Sequence, residues 1–190
     1  KTSDVSATID FDKRIGSFKS NTDDISTVFP YNQYRTSINE FKWEMDKKRM
    51  TFVAPPETEA LFTSVHPDQD SLSFTGRSAT YDMEKYVLKI NKVPYIAVAD
   101  AHVFPDSGKV VIEAEARMKT LNRAKIVMDT IDEYHRFDSV AANIYGLNSM
   151  KATGIYSYIN KTGKAQKIKM DDIGVFRDST KVNYHVYAKG

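Results

Sequence analysis

Five ionisable residues, Asp100, His102, Asp106, Glu113 and Glu115, fall within the stretch "YIAVADAHVFPDSGKVVIEAEARM", Tyr95 to Met118. Asp100 and His102 are two apart, so on a strand they share a face and could both ligate a metal ion. Such a site needs a third donor, and Asp106 in the following turn is the nearest. Against this stands a structural role: Asp100 can bond backbone where the inward parity changes from Ile96 and Val98 to Ala101 and Val103, a change that suggests a bulge. Glu113 and Glu115 on one strand face would sit roughly 7 Å apart, within reach of a glycosidase pair. A catalytic pair needs unequal environments, one of which keeps a proton. These two look equivalent and lie between Lys109 and Arg117, so a salt-bridged solvent face is the expectation.

Other constellations are weighed the same way. His66, Asp68 and Asp70 in "HPDQD" offer donors to a hard cation, but the EF-hand signature is missing and capping or Asx-turn roles are expected. Asp23-Asp24 and Asp171-Asp172 carry less information. Tyr156 and Tyr158 share a face, with Tyr145 joining from a neighbouring strand; the stripe could stack on sugar rings, and a cross-strand aromatic ladder is expected. Asn160-Lys161-Thr162 matches the glycosylation sequon. His135 lies beside Asp132 and Glu133, which favour its charged form, and reads as a turn residue. No nucleophile elbow or glycine-rich phosphate loop occurs. No catalytic, metal-binding or ligand-binding residue is assigned, and no cofactor is expected.

The chain of 190 residues has room for one domain or two small ones. It contains no cysteine, which removes disulfides, zinc-thiolate sites and a thiol nucleophile. Net charge is only +2, and the lysines are scattered, so no nucleic-acid partner is expected. The longest basic run, Lys47-Lys48-Arg49, follows Glu44 and Asp46 and so is locally neutralised. No apolar run approaches the roughly 18 residues of a membrane span, and no signal-peptide core is present. The start at Lys1-Thr2-Ser3-Asp4 and the strand-like "YHVYAKG" at the end lead to the expectation of a segment of a longer protein, with any targeting signal lost upstream.

The elements that would position these groups read as strands. Aromatic residues make up 12% of the chain and Val, Ile and Thr are abundant, which suits pleated, half-buried surfaces. From Lys109 to Met118, Val110, Ile112, Ala114, Ala116 and Met118 alternate with charged residues, and only Val111 breaks the pattern. Ala124, Ile126 and Met128, then Ile168 and Met170, alternate likewise. Further strands are expected at 86–90, 95–104, 140–145, 150–159, 173–176 and 182–187. Turn signals stand at "NKVP", "PDSG", "YGLN", "NKTG" and "RDST". "TEALFTSV", 58–65, could form one or two helical turns, whereas "TSINEFKWEMDKKRM" reads as strand, turn, strand. The proline-rich, acidic segment 53–71 reads as a loop or linker between an N-terminal β segment, 1–52, and a main repetitive β domain, 72–190. One continuous domain over 1–190 is the alternative.

From Ala79, the pattern "ATYDMEKYVLKI…VPYIAVADAHVFPDSGKVVIEAEARM" resembles the OstA-type repeat of lipopolysaccharide-transport proteins, over roughly residues 72–176. That resemblance implies an elongated β-jellyroll with an apolar groove that holds amphiphiles; no functional residue is carried across. A right-handed parallel β-helix is the rival, since Ala97, Ala99, Ala101, Ala114 and Ala116 would suit tight stacking in either. The expectation is an all-β jellyroll or β-solenoid with little helix. It would act as a non-enzymatic structural or binding module of a larger cell-envelope or secreted protein, holding an amphiphile or glycan in a groove. Its partners would be other domains of the same protein or a second copy paired through edge strands. The alternative class is a carbohydrate-active enzyme with two acidic side chains facing each other across a cleft.

Overall fold

The computed structural model describes residues 5–21, 27–128, 135–159, 163–177 and 183–190. These residues form β-hairpins joined in succession: β1 (Val5–Asp10) with β2 (Ile15–Ser20), β3 (Thr27–Phe29) with β4 (Tyr34–Thr36), and β5 (Glu40–Glu44) with β6 (Arg49–Val53). There follow β7 (Ala60–Ser64) with β8 (Ser73–Gly76), β9 (Ser78–Asp82) with β10 (Val87–Asn91), and β11 (Ile96–Val98) with β12 (Ala101–Phe104). The chain then continues through β13 (Val110–Ile112), β14 (Leu121–Met128), β15 (His135–Gly146), β16 (Ser149–Ile159), β17 (Ala165–Arg177) and β18 (Tyr184–Lys189).

Successive hairpins alternate between layers. The first sheet has the order β1-β2-β5-β6-β9-β10-β13, the second β3-β4-β7-β8, and the third β11-β12-β14-β15-β16-β17-β18. Every pairing among the described strands is antiparallel, so the parallel β-helix considered from sequence does not form. The result is an all-β fold of antiparallel sheets with a half-barrel.

Register places apolar residues opposite one another across each sheet. In the first, Phe18, Phe41, Phe52, Ala79, Ile90 and Val110 form one row, with the Phe18 and Phe41 rings stacked at 4.8 Å. In the third, the row is Ile96, Val103, Ile126, Phe137, Tyr156 and Ile168. Phe29 of the second sheet meets both Phe52 and Tyr81 of the first, each at 5.2 Å. The buried side chains of all three sheets belong to one continuous hydrophobic core. Each aromatic contact adds roughly 0.5–1.5 kcal/mol to the burial itself.

The third sheet curls until its ends meet. β11 and β18 are its two outermost strands, yet Asp100 in the β11–β12 turn accepts the Val186 amide through Oδ1 at 2.7 Å. Its Oδ2 lies 2.8 Å from His185 Nδ1. One carboxylate thus closes the sheet's first hairpin onto its last strand and occupies an amide that would otherwise be an open edge.

Three sequence expectations are corrected. Segment 58–65 is not helical: β7 lies between β4 and β8 with Ala60 and Phe62 buried and Leu61 exposed, a period of two. The segment read as a linker therefore contains a paired strand. Residues 95–104 are two strands, because Val98 faces Ala101 and leaves only Ala99 and Asp100 in the turn, with Ala99 at φ 51°. That turn is the cause of the parity change. Residues 109–118 are not one strand either: β13 ends at Ile112, and Glu115 and Ala116, at φ 56° and 54°, reverse the chain so that Met118 bridges back to Ile112. By contrast, the strand-turn-strand expected over 36–50 forms as β5 and β6.

Candidate functional site

The reversal after β13 builds a concave site. Glu113 N donates to Arg117 O at 2.8 Å and Lys119 N to Val111 O at 2.9 Å, closing a tight loop with Glu115 near its tip. The loop rests on the turn between β3 and β4: Glu115 N donates to Tyr31 O at 2.9 Å and Ala116 N to Asn32 O at 3.1 Å. Fully buried Asn32 reinforces this seat, its Nδ2 lying 3.0 Å from Ile112 O, 3.1 Å from Glu113 O and 2.8 Å from Tyr86 O.

On the other side stands the 3-10 turn Pro67–Gln69. Gln69 is buried with both ends of its amide engaged: Oε1 accepts from Tyr34 Oη at 3.2 Å, and Nε2 donates to Ala116 O at 2.8 Å. Burial pushes the Tyr34 phenol pKa upward, so its hydroxyl stays protonated as the donor. Gln69 O accepts from Leu147 N at 3.1 Å, and Leu147 O accepts from Ala99 N at 2.8 Å. The β15–β16 turn is thereby tied both to the 3-10 turn and to the hairpin carrying Asp100. Gly146 makes that approach possible, since a Cβ there would lie 3.0 Å from Gln69 Cα.

Between these supports lies a depression of about 410 Å³, lined by Gln69, Glu115, Arg117, Met118, Lys119, Thr120, Asn143, Ile144 and Tyr145. Met118 and Ile144 are buried and give an apolar floor, and the exposed Tyr145 ring gives an aromatic wall. Thr120 Oγ1 donates to Asn143 Oδ1 at 2.6 Å, which leaves the Asn143 amide nitrogen as a donor. Arg117 and Lys119 share Glu113, at 2.9 and 3.2 Å. The Glu115 carboxylate has no side-chain partner among the described residues. Glu113 and Glu115 are therefore unequal: one is a half-buried ion-pair acceptor, the other an exposed acceptor at a concave site. The salt-bridged role expected for both holds for Glu113.

Asp100 and His102 do not come together as ligands. Both Asp100 oxygens are taken by β18, while the His102 ring lies 4.1 Å from that of Tyr95. Asp106 instead pairs with Arg123 at 2.7 Å. His66 caps the 3-10 turn by accepting the Asp68 amide at Nδ1, 3.1 Å away, as expected of a capping role, and Asp70 follows in the left-handed region. No three His, Asp or Glu side chains converge among the described residues.

The aromatic ladder pairs Tyr156 with Phe137 at 5.2 Å and with Tyr158 at 6.5 Å. Tyr145 is not part of it, because register places it at the other end of the β15–β16 hairpin, next to the pairs Ile144–Met150 and Gly146–Ser149. His135 begins β15 and meets Tyr156 Oη at 3.1 Å, so it is a strand residue. Its neighbours Asp132 and Glu133, the sequon 160–162 and Asp23-Asp24 lie outside the described residues. Asp171 pairs with Lys169 at 2.7 Å, and Asp172 accepts from Tyr187 Oη at 3.2 Å.

No protein-family model, curated protein or solved structure matches the chain. Among the described residues no helix is long and apolar enough to cross a membrane. Sequence reasoning singled out Glu115 but missed Asn143 and the isolation of Tyr145. The signal that could have found the site is "EAEAR", whose strand-like alternation hides a reversal.

Proposed function

We propose that this protein is a glycan-binding module and that the depression bounded by Glu115, Asn143 and Tyr145 holds the sugar. The observation that carries this reading is an unpaired carboxylate and a free amide donor set around an apolar floor with an exposed tyrosine wall. A pyranose offers an apolar face that packs on an aromatic ring and hydroxyls that both donate and accept, so this lining complements it. A glycan is favoured over an amphiphile because buried side chains fill the space between the sheets, where an acyl chain would have to lie. A chain of several sugars suits the surroundings: Tyr31, whose carbonyl holds the Glu115 amide, lies 4.3 Å from Tyr86 with the rings tilted by 35°, and both rings are exposed.

The alternation of hairpins between layers supports a folded jellyroll of the OstA type, acting as one module of a larger envelope or secreted protein. Binding is favoured over hydrolysis at this depression because Glu115 is its single carboxylate, whereas glycoside hydrolysis uses a pair. The test is an array of neutral and acidic oligosaccharides probed with the wild type and with Tyr145→Ala. Binding to a defined subset, weakened about tenfold by the substitution, is the expected outcome. Binding of fatty acids with no oligosaccharide retained would overturn the reading.

A further inference from the structure

The solvent face of the third sheet carries a second depression, of about 320 Å³, lined by Ser139, Thr153, Gly154, Ile155, Lys167 and Lys169. Its backbone is irregular on two adjacent strands. The β15–β16 register slips between Asp138 and Ala141, and the β16–β17 register slips between Ala152 and Gly154. Ser139 occupies the slip on β15 with φ 51°. Gly154 has no room for a side chain, since a Cβ would stand 2.8 Å from Val140 Cγ2. Bulges that re-aim side chains recur beside functional sites.

Their effect here is to gather donors. The hydroxyls of Ser139 and Thr153 and the ammonium of Lys167 have no hydrogen-bond or ion-pair partner among the described residues, and the Lys169 ammonium completes the rim. The acidic groups nearby are directed elsewhere or shared: Asp138 faces Lys125 at 3.9 Å, and Asp171 pairs with Lys169 at 2.7 Å. No carboxylate lines the depression. Lys151, exposed on β16 of the same sheet, adds positive potential.

We propose that this depression binds a phosphoryl group. The Lys167 ammonium, the Lys169 ammonium shared with Asp171 and two hydroxyls match the three free oxygens of a phosphoryl group, whereas a carboxylate offers only two. The site shares no residue with the glycan groove, so it stands or falls independently.

The test follows backbone amides of Ser139, Gly154 and Lys167 by NMR while inorganic phosphate is added at constant ionic strength. Flotation with phosphatidylcholine vesicles, with and without phosphatidic acid, is run in parallel. The variants are Lys167→Gln and Thr153→Val, both at exposed positions, with an unchanged spectrum elsewhere as the control for folding. Saturable shifts confined to these amides, weakened about tenfold in Lys167→Gln, support a site for soluble phosphoryl ligands. Flotation that requires phosphatidic acid and is lost in both variants supports the same chemistry supplied by a lipid headgroup. Absence of both, or binding that neither substitution changes, overturns the proposal.

Discussion

Single side chains carry several of the fold's longest-range connections. Asp100 joins residues 86 positions apart in the chain. Asp100→Ala should cost about 1–3 kcal/mol, the range for an accepted amide left unpaired together with a lost charged partner. Hydrogen exchange at the Val186 amide should accelerate selectively; unchanged protection there would show that the clasp does not hold β18. Asn32→Ala removes the amide that bonds the carbonyls of Tyr86, Ile112 and Glu113 and should cost about 1–3 kcal/mol in urea unfolding. Glu44 makes a prediction in pH. Hydrogen bonds from Lys47 and Arg49 pull its pKa down to about 2 from an ordinary 4.5. The folded carboxylate thus binds its proton less readily than the unfolded one. Its contribution is present above pH 4.5 and is lost as pH falls through about 2. Glu44→Gln should flatten the acid limb of the stability profile in that window, and a side-chain midpoint near 4.5 by NMR would contradict it. Of these roles, the Glu44 environment was legible from the adjacent "DKKR", because the partners are neighbours in sequence. The partner of Asp100 was not, because nothing local to Asp100 distinguishes His185 from any other histidine.

Among the elements, those with uninterrupted period-two burial were readable. Ala124, Ile126 and Met128 in β14, and Ile168 and Met170 in β17, face inward as the alternation requires. Reading failed where the chain reverses without glycine. Ala99, Glu115 and Ala116 take positive φ with side chains that pay about 1 kcal/mol or more for it, so composition gives no warning. Through the Glu115–Ala116 reversal the period of two even continues, with Val110, Ile112, Ala116 and Met118 all buried, whereas at Ala99 it shifts by one residue. Replacing Ala99 with glycine should therefore stabilise the protein by up to about 1 kcal/mol, measured as a rise in Tm. A fall would mean that the methyl group supplies packing that outweighs the strain. The β15–β16 turn has the opposite sensitivity: Gly146→Val would push against Gln69 Cα, already 3.0 Å from a Cβ position, and should cost about 1–3 kcal/mol.

At the scale of the whole molecule, alternating hairpins place residues far apart in sequence at one concave site. Gln69, Glu115 and Tyr145 come from the 3-10 turn, the loop after β13 and the end of β15. That convergence is what sequence could not supply. It depends on the third sheet curling far enough for its β15–β16 turn to meet both the 3-10 turn and the Ala99 turn. All-β character, by contrast, was legible because strands such as β9, β10 and β12 alternate locally and β-branched and aromatic residues are abundant. The most direct test of the glycan-binding account is an NMR titration of the folded protein with the oligosaccharide that the array ranks highest. The Met118 methyl and the Asn143 side-chain amide should shift together and saturate, and Glu115→Gln should weaken the binding. Saturable shifts that bypass both groups, or no saturation with any oligosaccharide, would contradict it.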